Sequence, residues 1–551
     1  MPKKSAVAAI LAIMVLAVVL RVWGISWGLP TERHYFSYHP DETTVLMAAL
    51  RVNFFQGALD PGFYNYGTLF IYMVNLSVVA GSVFGLINVP SGDIFSKIGE
   101  FAKFYLAGRI AALVLGVLTV YLVYLLAKRA YGRGVGMLAA LFMAVLPIHV
   151  MHSKFLAVDV PATFFVVAAL IFAVRITDGQ RLRDYLLSGL FAGLAAGTKY
   201  ATGLVIIAPI IAHLSSDKTR PILRTFSPKL IGAILGAAVG FLIGTPGALL
   251  NPDAFMRGFT FETHHARTGH GLVFTDTGSG YAYHLTHSLW PGMGPALLVL
   301  SILGVLYALR RRTGPDLILL AFLVAYYAVI GAAQIRFARY MMPILPVLVI
   351  LAARVSADLV ARLRSGRAFA KSVGYIVILI LVLVSGYTLL YSIALDRMCA
   401  STDTRDRAAD WITRNVPPGS SIGLPTIPWF YTPPLDPYFG DLSARDRYER
   451  VREYADYDLV VSETAEWDAR FLERESPRYV VLSEFEYVDR LRTHDQAARE
   501  YFDVLRRDYK PVHRFSDSPS IFGVRIPFVG ELPHDMSYVS PTILIYERKA
   551  G

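Results

Sequence analysis

The chain has 551 residues, of which 54% are hydrophobic and 17% charged, with a mean hydropathy of +0.46. Soluble domains carry about 25% charged residues, so a large part of this chain must face lipid rather than water. The formal net charge is +11, but the basic residues lie mainly between apolar segments. This pattern is typical of cytoplasmic loops and argues against a nucleic-acid partner. Cys399 is the only cysteine, which excludes an internal disulfide bond.

Apolar segments recur along the first 395 residues. Many approach the roughly 20 residues needed to cross a bilayer, and backbone groups in lipid must bond internally, so we expect helices. Lys3 and Lys4 precede the first segment, which we interpret as an uncleaved helix because no small-residue cleavage site follows it. The segments lie near 6–22, 67–88, 104–127, 135–150, 162–177, 185–198, 201–214, 230–248, 291–309, 316–333, 341–353 and 372–395.

Basic residues between these segments predict how the chain is threaded through the plasma membrane. With a cytoplasmic N-terminus, all the basic clusters become cytoplasmic only if segment 67–88 does not cross the membrane, so we expect this segment to lie in the outer interface or to re-enter. We therefore expect about 11 spanning helices, with outer loops at 23–66, 150–161 and 249–290. The basic clusters are 128–133, 181–183, 218–229, 310–312 and 354–371.

Two helical hairpins are predicted to be short. Between 185 and 214 the chain crosses out and back with about 14 residues in each leg, or roughly 21 Å. The turn at Gly197-Thr198-Lys199 should therefore lie below the outer surface, and the similarly short pair between 135 and 177 recesses Asp159. Together the hairpins predict an outward-facing hollow with an acid and a lysine near its floor.

The composition changes after about residue 395, where segments rich in charge alternate with short apolar runs. The runs at 459–461, 479–482 and 543–546 are typical of buried strands. We therefore predict two domains, a mostly α-helical membrane domain over 1–395 and a compact extracytoplasmic α/β domain over 396–551.

Asp41 and Glu42 follow Pro40 in the first outer loop, and a proline is favoured at the first turn of a helix. One interpretation is that these carboxylates only stabilise the start of a helix through its dipole. The other is that a carboxylate is held next to the lipid surface as a base.

Asp159 and Lys199 are charged residues at predicted membrane depth. Such a position is costly unless the charge is paired or wet, which favours a functional role. An ion pair of Asp159 with Lys154 or an arginine is the structural alternative. Lys199 facing a cavity would suit a phosphate, whereas its alternative is to extend towards the interface.

Two further clusters could carry chemistry. Arg336, Arg339 and Tyr340 could clamp a lipid phosphate through charge-assisted hydrogen bonds, or simply anchor the chain at the interface. Glu262 and His264 in the 249–290 loop could ligate a divalent metal ion, although no tight spacing such as HExxH occurs and surface histidines are the alternative.

The sequence contains no Gly-rich nucleotide loop, no Walker A motif, no GxSxG and no Cys/His zinc pattern. A nucleotide-dependent reaction therefore has no visible site, and an outer-face reaction has no nucleotide supply. A lipid-linked donor would solve that problem.

Several short motifs follow one another along the membrane part. They are Pro40-Asp41-Glu42, Asp159-x-Pro161, Gly197-Thr198-Lys199-Tyr200 with Gly203, and Arg336-x-x-Arg339-Tyr340-x-x-Pro343. In this order and spacing they resemble the GT-C superfamily of polyprenyl-phosphate-dependent glycosyltransferases, with the protein O-mannosyltransferases and lipid A aminoarabinose transferases as the nearest relatives. The resemblance covers about 1–395.

The resemblance implies a GT-C helical bundle that transfers a monosaccharide, with inversion, from a polyprenyl-phosphate donor to an extracytoplasmic protein, lipid or glycan. It implies that Asp41 is the catalytic carboxylate, with Asp159 beside it, and that Glu262 and His264 occupy the loop where some members contact a metal. The implied substrate-binding residues are His39, Glu42, Lys154, Lys199, Tyr200, Arg267, Arg336, Arg339 and Tyr340.

The sequence departs from two of these families. Tyr64-Asn65-Tyr66-Gly67 stands where aminoarabinose transferases carry Glu-Lys-Pro, which argues against the metal site and an aminoarabinose donor. The WWD motif of oligosaccharyltransferases is absent, which argues against transfer of a whole glycan to asparagine. A transporter or lipid-linked-sugar flippase is the main alternative, and a non-catalytic membrane scaffold is another. Transporters often contain inverted repeats and charges near the midplane, whereas the acids here lie at outer helix ends.

Overall fold

The computed structural model describes residues 3–88, 97–216, 227–366, 368–436, 443–461 and 467–550. Four residues of the basic clusters, Lys218, Arg220, Arg224 and Arg367, lie outside the described residues. The membrane part is almost entirely helical. Its α-helices are Lys3–Val22, Glu42–Leu50, Leu69–Val83, Ile98–Tyr131, Arg133–Ala144, Pro147–His152, Asp159–Ile176, Leu182–Ala196, Ile207–Ser215, Pro228–Gly244, Gly247–Leu250, Pro252–Thr268, Gly280–Tyr283, Trp290–Met293, Pro295–Arg311, Gly314–Gly331, Leu345–Arg364 and Ala368–Ala400.

The chain is a multi-pass membrane protein. Among the described residues, six helices are long and apolar enough to cross a bilayer, or seven if the pair Gly280–Met293 and Pro295–Arg311, bent by 120°, forms one span. Segment 67–88 forms the 15-residue helix Leu69–Val83, which is shorter than a straight crossing needs. Several other predicted spans are also short helices, so the expected number of about 11 stays a prediction.

The recessed turn is built by close contact between glycines. Helix Leu182–Ala196 ends at Gly197, and Lys199 adopts an extended backbone before a 3₁₀ helix at Tyr200–Ile206. A Cβ atom on Gly67 would lie 2.1 Å from the Gly197 carbonyl, and the Leu69 N–H donates to that carbonyl at 2.9 Å. The predicted break in the helix at 197–199 is therefore confirmed, and this contact fixes the backbone before Lys199.

Helices Leu182–Ala196 and Pro228–Gly244 also pack through small residues. A Cβ on Gly193 would lie 2.0 Å from the Ala237 carbonyl oxygen, and one on Gly240 would lie 2.2 Å from the Leu190 carbonyl oxygen. Small residues at such an interface let two backbones approach closely, which is how helices associate where lipid supplies no hydrophobic driving force.

A mixed five-stranded sheet forms the centre of the C-terminal part, in the order β2-β1-β3-β7-β4. β1 pairs in parallel with β2 and β3, whereas β7 pairs antiparallel with β3 and β4. The three strands predicted from apolar runs are confirmed as β2, β3 and β7. The strands are β1 Ser421–Leu424, β2 Asp458–Val461, β3 Tyr479–Ser483, β4 Tyr509–Phe515, β5 Ser520–Ile521, β6 Val524–Arg525 and β7 Ile543–Arg548.

Five helices pack around this sheet, and one face of it buries an apolar core that includes Trp467, Leu482 and Tyr501. The alternation of strands and helices confirms the predicted α/β class, while the exact domain boundary near 395 stays a prediction. These helices are Thr404–Asn415, Ala444–Tyr454, Ala469–Glu475, Glu484–Arg492 and Gln496–Asp508. Short 3₁₀ helices lie in the membrane part at Phe54–Gln56 and Ala338–Ile344, and in the C-terminal part at Ser537–Val539.

Candidate active site

A buried ion pair fixes the loop that precedes helix Glu42–Leu50. Glu42 accepts two hydrogen bonds from Arg109, at 2.9 Å and 2.7 Å, and both side chains are fully buried. The same carboxylate accepts from the Leu156 backbone at 2.8 Å, and Arg109 donates to the carbonyl of Trp27 at 2.6 Å. Because Glu42 ties three segments together at the start of helix Glu42–Leu50, the position of its neighbour Asp41 is set by the fold.

The Asp41 side chain is partly exposed to solvent. Its side chain is 26% exposed, and its Oδ2 accepts a hydrogen bond from Arg339 Nη2 at 3.0 Å. The buried His39 ring lies behind it, accepting from the Asp41 backbone N–H at 3.3 Å. Asp41 is therefore a carboxylate that is anchored on one side and accessible on the other.

Asp159 and Lys199 meet beside this carboxylate. Lys199 Nζ donates to Asp159 Oδ1 at 2.6 Å and lies 3.8 Å from the centre of the Tyr340 ring. Arg339 Nε lies 3.8 Å from Asp159 Oδ2, so Arg339 bridges the two aspartates. The alternative partner Lys154 does not pair with Asp159.

These side chains enclose one narrow cavity, with about 10 Å³ of free space. Two carboxylates and two cations from distant parts of the chain share it, as the short-hairpin argument predicts for Asp159 and Lys199. We name this group the central pocket; it is lined by Asp41, Val45, Tyr66, Ala157, Val158, Asp159, Lys199, Arg339 and Tyr340.

The charges of the central pocket shift the pKa of the acids around it. Burial alone would raise the pKa of Asp41, but Arg339, followed by His39 and Lys199, lowers it below its ordinary value. Burial raises the pKa of Glu262, and Asp41 raises it further, while Lys199 acts in the opposite direction. Asp41 is therefore ionised at neutral pH. Glu262 lies near enough for Lys199 and Asp41 to shift its pKa as well.

Three other predicted site residues are not among those that line the central pocket. Tyr200 donates to the Tyr64 and Tyr66 carbonyls at 2.7 Å and 3.0 Å, so its hydroxyl anchors the first loop. Arg336 donates to the Thr277 hydroxyl at 2.5 Å. Arg267 is exposed on helix Pro252–Thr268.

Two predicted substrate-binding side chains lie away from the central pocket. Lys154 is 1% exposed, and its Nζ donates to Asp396 Oδ1 and to the Leu20 carbonyl, each at 2.7 Å. Glu42 is enclosed by Arg109. Both charges are neutralised by buried partners, and neither side chain lines the central pocket, so their substrate-binding role stays a prediction.

The predicted metal ligands do not converge. His264 is exposed, and within the part of the chain that the structure describes, no three His, Cys, Asp or Glu side chains are grouped so that they could hold a metal ion. The described residues therefore do not fit the metal site predicted at Glu262 and His264.

The structure also brings residues to the centre that the sequence arguments did not select. Tyr66 lines the pocket, and Asp535 of the C-terminal part lies 3.6 Å from Arg339 Nη1. Tyr538 packs against His39 with ring centres 5.5 Å apart. The sequence arguments selected charged residues that lie within the membrane segments, and Asp535 and Tyr538 lie in a loop of the C-terminal part. These two residues could therefore be found only from the three-dimensional contact.

Comparison with known proteins agrees with this architecture. Residues 93–256 match the family model for dolichyl-phosphate-mannose-protein mannosyltransferase. No curated protein sequence matches the chain significantly. The apo oligosaccharyltransferase of Archaeoglobus fulgidus is 14% identical, with a TM-score of 0.50 over 96% of this chain and 76% of that chain.

A second solved structure, ArnT from Cupriavidus metallidurans bound to undecaprenyl phosphate, is 13% identical. The match covers 99% of this chain and 98% of that chain, with a TM-score of 0.45. The archaeal match over nearly the whole chain confirms the expected GT-C fold. The mannosyltransferase family model matches the part of that fold between residues 93 and 256.

Proposed function

We propose that the chain transfers a monosaccharide from a polyprenyl-phosphate donor to an acceptor on the extracytoplasmic side of the plasma membrane, and that its N-terminus is cytoplasmic. The observation that carries this proposal is the meeting of Asp41 and Asp159 with Lys199 and Arg339 in one pocket at helix ends. The mannosyltransferase family model that matches 93–256 supports a lipid-phosphate donor.

Lys199 and Arg339 suit the phosphate of such a donor. The leaving group of a polyprenyl-phosphate sugar is already a stable phosphate, so the protein needs cations to hold its growing charge and no acid to protonate it. Both cations are now paired with carboxylates, and the pocket is narrow. A donor phosphate therefore has to compete with Asp41 and Asp159 for them.

Asp41 is the proposed base. As the acceptor oxygen attacks the anomeric carbon, the bond from that carbon to the phosphate oxygen breaks and the bonding pair leaves with the polyprenyl phosphate. The hydroxyl proton passes to Asp41. A single attack from the face opposite the leaving group inverts the anomeric configuration, and the oxocarbenium-like transition state is stabilised by the nearby carboxylates.

The donor class is tested with purified protein and labelled donors. We expect a polyprenyl-phosphate monosaccharide to be consumed in the presence of membrane-derived acceptors, with release of polyprenyl phosphate and an inverted product linkage. Nucleotide sugars serve as the control and should remain unchanged. Turnover of a nucleotide sugar, or transfer with retention, would contradict the proposal.

A further inference from the structure

Asp535 of the C-terminal part makes an unusual contact with the membrane part. It is fully buried, and its two carboxylate oxygens accept hydrogen bonds from the backbone N–H groups of Ala338 and Arg339 at 3.0 Å and 2.8 Å. These groups begin the 3₁₀ helix Ala338–Ile344, whose N-cap residue Phe337 has no polar side chain. The first N–H groups of a helix lack internal partners, so Asp535 caps this helix from another part of the chain.

The same carboxylate also faces the Arg339 side chain. Its Oδ2 lies 3.6 Å from Arg339 Nη1 and 3.9 Å from the His152 ring. Burial alone would raise the pKa of Asp535, but Arg339, His152 and the two backbone hydrogen bonds lower it below its ordinary value. Asp535 is therefore an ionised carboxylate that contacts both the backbone N–H and the side chain of Arg339.

Arg339 is held from several sides. Its guanidinium lies 4.1 Å from the centre of the Phe337 ring, and Nη2 donates to Asp41. A guanidinium is planar, so fixing its backbone and one edge determines where the remaining nitrogens point. Asp535 holds the Arg339 backbone by a hydrogen bond and attracts Nη1 from 3.6 Å, while Nη2 is directed at Asp41.

We infer that Asp535 is a positioning residue: from the C-terminal domain it holds Arg339 so that the guanidinium is kept against the base Asp41. This inference rests on the proposed function for its catalytic consequence, but its structural part can be tested without any turnover. It also gives the C-terminal domain a role in the reaction centre that the sequence did not reveal.

Hydrogen–deuterium exchange tests the structural part. In Asp535→Ala, the amides of Ala338 and Arg339 should exchange about fivefold to tenfold faster, because a lost cap opens the first turn. Asp535→Asn keeps one acceptor oxygen and should show a smaller effect. Asp517→Asn is the matched control, since Asp517 is also an aspartate of the C-terminal part but pairs with Arg407. Unchanged protection at 338–339 in both Asp535 variants would overturn the inference.

Kinetics test the catalytic part. A misplacement of about 1 Å can cost roughly 100-fold in rate, so kcat for donor consumption should fall by about that factor in Asp535→Ala and less in Asp535→Asn. When Arg339 is displaced, the pKa of Asp41 rises, and the acid limb of kcat/KM should move to higher pH. The charged groups facing Asp41 are Arg339, Lys199, His39, His270 and Glu262.

The outcomes separate the two proposals. A lowered kcat with an unshifted acid limb would mean that Asp535 acts only on folding and would overturn the positioning role. If wild-type protein consumes no lipid-linked sugar while 338–339 exchange faster in Asp535→Ala, the proposed function fails and the structural hold on Arg339 stands.

Discussion

At the scale of single residues, the centre depends on how two cations are shared among carboxylates. Arg339 is within 4 Å of Asp41, Asp159 and Asp535, while Lys199 forms an ion pair with Asp159. An arginine can hold several carboxylates at once because its planar fork presents five donors, whereas lysine acts as a point charge. The pairing keeps Asp41 ionised but makes it a weak base until something competes for Arg339.

A donor phosphate should therefore strengthen the base. By adding negative charge and drawing on Arg339 and Lys199, it should raise the pKa of Asp41, which these cations lower in the protein alone. The acid limb of kcat reports the donor complex and that of kcat/KM reports the free enzyme. We predict that the apparent pKa from kcat lies above that from kcat/KM in pH profiles of transfer; the reverse order would show that the donor does not compete for these cations.

At the scale of elements, the position of Lys199 depends on backbone contact and not on its own helix. Gly67, Gly197 and Gly244 meet where three segments cross, since a Cβ on Gly197 would lie 3.0 Å from Gly244 Cα. The sequence predicted the break at 197–199 from segment length alone. The glycine contact across 130 or so residues could not be predicted, because nothing local in the sequence pairs Gly67 with Gly197.

Gly67→Ala tests this contact. The added methyl would meet the Gly197 backbone at 2.1 Å, which cannot move aside as a flexible side chain would. Overpacking of this kind costs about 1–3 kcal/mol, so thermal unfolding in detergent should occur at lower temperature, and Lys199 should be displaced with a loss of transfer.

Gly386→Ala is the matched control for that variant. Gly386 lies within helix Ala368–Ala400, and a Cβ there would have no atom within 4 Å. Alanine favours a helix over glycine by about 1 kcal/mol, so stability should be equal or higher. Equal melting of the two variants would show that the Gly67–Gly197 approach is not under steric constraint.

At the scale of the whole molecule, the membrane and C-terminal parts are joined by buried polar contacts. Trp27 Nε1 donates to Asp403 Oδ2 at 2.9 Å, and Tyr38 donates to Asp406 Oδ1 at 2.6 Å. Arg405, also fully buried, pairs with Asp403 and lies 3.7 Å from the Tyr38 ring. The first outer loop, which carries Asp41, is therefore packed directly against the C-terminal part.

Sequence patterns predicted the helical bundle, the C-terminal α/β domain and the meeting of Asp159 with Lys199, because hydropathy and strand patterns act locally. They did not predict this junction. Polar residues such as Asp403, Arg405 and Asp535 are ordinary for the surface of a globular domain, and their burial follows only from how the two parts pack. The pairing of Lys154 was not predictable either, because its partner Asp396 lies 242 residues further along the chain. Without that partner in view, the sequence placed Lys154 near the substrate.

Arg405→Ala tests whether this junction stabilises the whole protein. Removing one partner of a buried ion pair leaves Asp403 uncompensated and costs about 3–5 kcal/mol. Arg407→Ala, two positions away, removes a pair that is 37% and 26% exposed and should cost about 0–1 kcal/mol. Chemical denaturation in detergent should separate the two variants clearly, and similar losses of unfolding free energy would contradict a buried, stabilising junction.

The proposed role of Asp41 as the base is tested most directly by the turnover number of Asp41→Asn. The donor is a labelled polyprenyl-phosphate monosaccharide, and the variant is measured beside wild type once folding is shown to be unchanged. The amide has nearly the same shape but cannot accept the acceptor's proton, and general-base catalysis contributes about 100- to 10,000-fold. We predict that kcat falls by about 100-fold or more while the donor still binds. Near-normal turnover would show that Asp41 is not the base.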